Sequence, residues 1–470
     1  MSQARTRSGW RIGVAGVVVS LAAVACGTVA CGTDDVSPLP GGAAGGGGTG
    51  LPSGGGGGGD AGGGGGGPSG PPQVLFEPRG LQPEQVAILV NDQDPVSVAL
   101  GAYYQQARGI PAEQVITLSF GTDAVLPATE FEPLKDAVDA ALPPTVQALA
   151  LTWTRPFRVA CMSITSAFAL GFDDRFCNTT GGACGATAPV DYFDSDSSLP
   201  FDDHQLRPAM TIAAATIEDG EALIDRGVAS DGTFPSGDGY LVRTTDTARS
   251  VRWPGFIATV DAWNRPEGLR LTYVDNADGS GSNVVANTDE ILFYFTSLAN
   301  VADIDTNTYL PGAVADHLTS FGGRLPTAGG QMSVLRWLEA GATGSFGTTV
   351  EPCNFRQKFP DTEVMLPHYV RGETLIEAYW KSVAWPGEGI FVGEPLARPW
   401  GSRAEVEGDV ITITTTTIEP DTPYEIVSGP TADGPWDVVV QADIEFPDYG
   451  IRELVVTGAA APFYLLRRAL

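Results

Sequence analysis

Histidine and basic charge are scarce in this chain. Three His residues, His204, His317 and His368, stand among 470, which excludes a His-rich metal site. Lys and Arg total 27 against 56 Asp and Glu, a formal net charge of −29. A face able to hold nucleic acid or an anionic membrane needs a cationic excess, so neither is expected as a partner. No C-x-x-C spacing occurs, which excludes the common structural zinc sites. No P-loop and no G-x-S-x-G occurs, and no G-x-G-x-x-G lies outside a Gly-rich stretch near the start. Nucleotide binding and α/β-hydrolase chemistry therefore have no motif to rest on. What remains is ordinary globular composition, with 43% hydrophobic and 18% charged residues. The length suggests two or three domains of roughly 150 residues each.

The first 25 residues carry Arg5, Arg7 and Arg11 and no acid, then an apolar run over Val14–Ala25. The run is short for a bilayer span and ends in small residues, the pattern of a secretory signal peptide over 1–25. It closes as Ala23-Val24-Ala25-Cys26, which resembles a bacterial lipobox, with Ala23 where Leu is preferred. Cys26 is the expected lipidation site, and Cys31 has a similar context. Of the 60 Gly, 20 fall between Gly41 and Gly70. Such a segment buries no apolar area, so 26–77 is expected to be a disordered tether. A lipid anchor and a tether fit together, because the tether lifts a folded body off the envelope.

The folded body begins with an α/β pattern. Val86–Asn91 reads as a buried strand. Asp94 caps a helix with Pro95 in its first turn, and Gly109 ends it. Gln114–Phe120 returns as a strand, which completes a β-α-β unit and favours a parallel sheet. Helices over Phe131–Leu142, Asp219–Ala229, Ser333–Ala340 and Thr374–Val383 alternate with further strands. Those strands cover Ala148–Trp153, Met210–Ala215, Gly239–Thr244, Leu269–Val274, Ile291–Phe295 and Gly389–Val392. The expected fold is α/β: a three-layer, mostly parallel sheet domain over 78–400. After Trp400 the texture becomes β-branched and Thr-rich, with no helical period. A small C-terminal all-β domain, sandwich-like, is expected over 404–470.

Several stretches resemble an uncharacterised family of exported bacterial proteins found with exosortase-type protein sorting. They include Val90-Asn91-Asp92, Arg108-Gly109-Ile110-Pro111 and the run Leu310 to Gly322. Glu351-Pro352-Cys353-Asn354, Gly372 to Ala378 and Gly393-Glu394-Pro395-Leu396 complete the set. The resemblance covers about residues 84–400 and implies an envelope location but no activity. A more distant likeness is to gingipain-type, caspase-like cysteine peptidases. It rests on the strand ending near Tyr294-Phe295, the turn Thr319 to Gly323, the joint Leu338 to Ala342 and the closing Val392 to Pro395. That likeness implies a His after one strand and a Cys after the next. Thr296-Ser297 and Thr319-Ser320 stand there instead, so the dyad of a peptidase is absent.

Four candidate sites follow. Cys353 and His317 lie in the densest recognisable stretch and are the Cys/His pair to consider for catalysis. Lys358 is near enough in sequence to lower a thiol pKa. The other reading is a structural Cys353, buried or bonded to Cys161, Cys177 or Cys184; four cysteines allow three connectivities. Trp153, Arg155 and Arg158 follow a strand at a carboxyl edge, where open α/β sheets hold ligands. They suit a glycan or peptide, or else pack the rim of the core. Asp194 and Asp196, and Asp275 and Asp278 with Asn276 and Asn283, offer oxygens to calcium, or are solvated turns. No other cofactor is required by any motif. Two functions compete: a non-catalytic envelope scaffold binding a peptide, glycan or sorted surface protein, and a hydrolase using Cys353 with His317.

Overall fold

A computed structural model describes residues 70–77, 79–178, 184–265 and 268–469, with the backbone alone for 441–443. The expected signal segment, Cys26, Cys31 and most of the stretch expected as a tether lie outside the described residues.

A ten-stranded sheet organises residues 86–393. Its strands are β1 (Val86–Asn91), β2 (Val115–Leu118), β3 (Ala148–Leu151), β4 (Ala209–Thr211), β5 (Gly237–Arg243), β6 (Leu269–Asp275), β7 (Ile291–Thr296), β8 (Tyr309–His317), β9 (Gly344–Thr348) and β10 (Gly389–Gly393). Across the sheet the order is β6-β5-β7-β8-β9-β10-β4-β3-β1-β2. The four strands β1 to β4 run parallel to one another, as do β5 to β9. β10 is antiparallel to β9 and meets β4 through a single bridge, Val392 with Thr211. The strand Ile291–Thr296 is wholly buried and paired on both sides, the environment that its apolar run Ile291–Phe295 calls for.

The first β-α-β unit forms where its punctuation places it. Asp94 caps the helix Pro95–Arg108 by accepting from Val96 N–H at 3.0 Å. Gly109 ends it in the left-handed region at φ +66°, which a β-carbon disfavours. The helices Pro95–Arg108 and Ile217–Ser230 pack side by side. Three elements carry no clear signal in the sequence. The helix Trp253–Trp263 opens on Pro254, which a first turn tolerates, and Thr362–Val370 contains Pro367 within it. β8 opens on Leu310-Pro311-Gly312, residues that read as a turn.

Residues after 400 form two small sheets. One holds Arg403–Glu407, Val410–Thr415 and Arg452–Thr457, and the other Phe463–Arg468, Tyr424–Gly429 and Asp437–Ile444. Ile411, Ile413, Ile426, Val456 and Leu466 share one apolar cluster. Gln73–Phe76 corrects the expected tether boundary at 77. It is a strand, parallel to Phe463–Leu466, and Val74 and Phe76 pack on that cluster. Its Gln-Val-Leu-Phe sequence has the apolar area that the glycines before it lack, and the partner lies nearly the whole chain away.

Candidate functional site

The carboxyl ends of β1, β3 and β4 frame an open cleft of about 460 Å³. Its walls come from short segments just past each strand. Gln93, Asp94 and Val96 follow β1, Thr154 and Arg155 follow β3, and Ala214 follows β4. Buried hydroxyls lock these segments together. Ser97 Oγ accepts from Asn91 N–H at 2.9 Å and is hydrogen-bonded to Thr152 Oγ1 at 2.8 Å. The chain leaves β1 for β2 on one side and returns to β3 on the other. This crevice is therefore the point where strand order reverses, the usual ligand position in open α/β sheets.

The three residues proposed for ligand contact separate here. Arg155 is exposed and lines the cleft, with Nε donating to the Leu325 carbonyl at 3.1 Å. Trp153 is buried. Its ring meets Phe120 and Phe168 edge-on at 5.0 and 5.9 Å, and its Nε1 donates to the Pro156 carbonyl. It therefore belongs to the core and not to a binding surface. Arg158 is part-buried; desolvation and the neighbouring Arg324 charge pull its pKa down. Strand alternation alone does not separate these roles, because all three follow the end of β3.

The carboxyl ends of β7 and β8 hold Thr296-Ser297 and Thr319-Ser320. Thr296 Oγ1 and Ser297 Oγ are sealed from solvent and have no partner among the described residues. The loop after β8 folds down over this edge: Phe321 N–H donates to Gln331 Oε1 at 2.7 Å, and Thr319 Oγ1 donates to the same oxygen. Gly323 and Gly347 let the backbones touch, since a β-carbon on Gly347 would stand 2.5 Å from Gly323 N.

Cys353 and His317 are not brought together as a catalytic pair. Cys353 is bonded to Cys184, and Cys161 to Cys177. A disulfide sulfur is neither a thiol nor a thiolate, so Cys353 has no nucleophile to offer in this state. The close pair Cys177 and Cys184 thus joins two different bridges and closes no loop of its own. His317 is buried at the end of β8. Its Nε2 faces the Met332 carbonyl at 3.1 Å, and its Nδ1 accepts from Trp337 Nε1 at 3.0 Å. Burial depresses its pKa to about 4, and the Arg252 and Arg249 charges push the same way. With both ring nitrogens engaged, it has no free site for a substrate proton. Its neighbour Asp316 is tied to Arg252 at 2.6 Å.

The remaining histidines serve other contacts. His204 Nε2 lies 2.8 Å from Ser195 Oγ. His368 bridges Glu373 at 2.9 Å and Asp194 at 3.1 Å, and Glu373 also receives Lys381 at 2.8 Å. Burial alone raises the Glu373 pKa, but Lys381 and His368 override it and leave it below its usual value.

No protein family and no curated protein sequence matches the chain. Among solved structures it is similar to one described as "Structure of Protease", at 9% identity and a TM-score of 0.42, covering 82% of this chain and 97% of that one. It is also similar to the Arg-specific cysteine proteinase gingipain R, at 7% identity and a TM-score of 0.37, covering 82% and 94%. A complex of the pro- and mature domains of RgpB from Porphyromonas gingivalis matches at 7% identity and a TM-score of 0.31, covering 80% and 94%.

The acidic loops use their carboxylates locally. Asp275 accepts from Ala277 N–H at 3.0 Å and from Arg243 at 3.2 Å, and Asp278 accepts from Ser280 N–H at 2.9 Å. Asp194 faces His368, and Asp196 is exposed. Among the described residues no three His, Cys, Asp or Glu side chains are grouped to hold a metal. The cleft residues that sequence reasoning missed include Gln93 and Val96. The signal was present, since they flank the start of the helix after the first strand, where such crevices form.

Proposed function

We propose that this chain is an exported, lipid-anchored envelope protein whose peptidase-like scaffold binds a peptide, glycan or sorted surface protein without cleaving it. In this reading the ten-stranded sheet and its helices are a three-layer body. Residues 404–470 with Gln73–Phe76 form a β-sandwich-like module, and the Gly-rich segment tethers both to Cys26. The observation that carries the non-catalytic choice is the Cys184–Cys353 disulfide. Nucleophilic catalysis needs a thiolate with an adjacent base, and here the sulfur is bonded while His317 is buried and occupied. Arg155 is the anchor for the ligand, because it is exposed, lines the cleft and carries donors that suit carbonyl or carboxylate oxygens.

Two measurements test this. Captured envelope components should associate with the wild-type protein and be lost with Arg155→Ala, whose melting temperature should barely move. Retention of the same components by Arg155→Ala would move the site away from the cleft. A thiol-directed activity probe should leave Cys353 unlabelled without reductant. Labelling of Cys353 that His317→Ala abolishes would establish the hydrolase reading instead.

A further inference from the structure

A second cavity of about 460 Å³ lies where the helices Pro95–Arg108 and Ile217–Ser230 end, beside the chain entering β1 and the chain leaving β10. Three of the protein's 27 cations, Arg108, Arg398 and Arg403, converge on it in a chain of net charge −29. Their circumstances differ. Arg108 is fully engaged: Nε and Nη2 donate to Glu394 at 2.9 and 2.5 Å, and Nη1 to Asp231. Asp231, the acid of the cavity wall, is also engaged, since it accepts the Arg398 backbone N–H at 2.9 Å. Arg403 sits half-exposed at the rim, with Glu405 3.5 Å away.

The Arg398 side chain is the exception. Its Nε donates to the Gly372 carbonyl at 2.6 Å, but among the described residues Nη1 and Nη2 have no hydrogen-bond partner and no carboxylate stands within ion-pair distance. Gly80 and Gly401 press on the guanidinium, where a β-carbon would come within 2.9 and 3.0 Å of Nε. Desolvation lowers its pKa, and Glu377 and Asp231 oppose this only from a distance. The guanidinium is part-buried, and its two terminal donors match a carboxylate.

We infer that this cavity binds an organic carboxylate, gripped by Nη1 and Nη2 of Arg398, with an apolar body against Leu81, Pro83, Ala107, Val228 and Leu396. The volume exceeds what a bare ion fills, and the apolar wall calls for carbon. The Asp231 carboxylate disfavours a doubly charged phosphate. The ligand source is either a free organic acid or the chain end of a peptide, which share this chemistry. The site is separate from the Arg155 cleft and stands without it.

Calorimetric titration of the full chain with N-acetylleucine tests the inference. Saturable binding is expected, with at least tenfold weaker binding for N-acetylleucinamide and for inorganic phosphate. Arg398→Gln should weaken N-acetylleucine at least tenfold, and Arg403→Gln about threefold. If Arg398→Gln fails to fold, Arg403→Gln and the amide control decide. Absence of saturable binding, equal binding of acid and amide, equal binding of phosphate, or unchanged affinity in either folded variant overturns the proposal. Competition by a free peptide carboxyl terminus but not by its amidated form assigns the source to chain ends.

Discussion

The buried imidazole of His317 makes stability depend on pH in a defined window. The ring is 1% exposed and its neutral form is held by two contacts, Nε2 to the Met332 carbonyl and Nδ1 from Trp337. Protonating Nδ1 would set its new N–H against the indole N–H, beside the charges of Arg252 and Arg249. Asp316 lies next in the chain but is already paired with Arg252. The folded pKa of about 4 lies below the ordinary 6.5. Between these values the unfolded chain binds the proton and the native protein does not, so stability falls as pH falls through this window. It is fully present above about 6.5 and fully lost near 4. The whole shift corresponds to about 3 kcal/mol, of which about 2 kcal/mol is gone by pH 5. Urea unfolding from pH 8 to pH 4 measures the total, and other groups add to it. The His317 share is the difference in slope between wild type and His317→Gln, which cannot titrate. The imidazole Cε1 proton shift reads the folded pKa directly. A folded His317 titrating near 6.5, or identical slopes in the two proteins, refutes the reasoning.

Three further outcomes follow from packing. Lys358 and Glu388 are both fully buried and 2.7 Å apart, so Lys358→Met should cost about 3–5 kcal/mol by leaving a buried carboxylate unpaired. Adding Glu388→Gln should recover part of it in urea unfolding, and a single-variant cost below about 1 kcal/mol would contradict the pairing. Cys353→Ser opens a bridge spanning 169 residues and should cost about 2–5 kcal/mol in denaturant while leaving ligand capture intact. Gly347→Ala drives a β-carbon against Gly323 N and should lose about 2–3 kcal/mol, with faster amide exchange in the loop after β8.

Some of this architecture is legible in the chain because its cause is local. Asp94-Pro95 starts a helix and Gly109 stops it through backbone geometry set within a single turn. The run Ile291–Thr296 is a buried strand because six consecutive residues leave it no solvated face. That Thr296-Ser297 follow β7 and Thr319-Ser320 follow β8, with no His at the first and no Cys at the second, is likewise a matter of residue identity. Other features needed the folded chain. Cys353 pairs with Cys184, 169 residues away, because the fold brings those distant segments together. Trp153, Arg155 and Arg158 sit within six residues, yet only Arg155 faces the cleft, since Phe120 and Phe168 claim the indole. Gln73–Phe76 pairs with Phe463–Leu466 although its sequence adjoins a glycine-rich stretch. Periodicity and turn chemistry act over a few residues. Burial, bond pairing and the unpaired fork of Arg398 depend on which remote surfaces meet, and only the tertiary structure decides that.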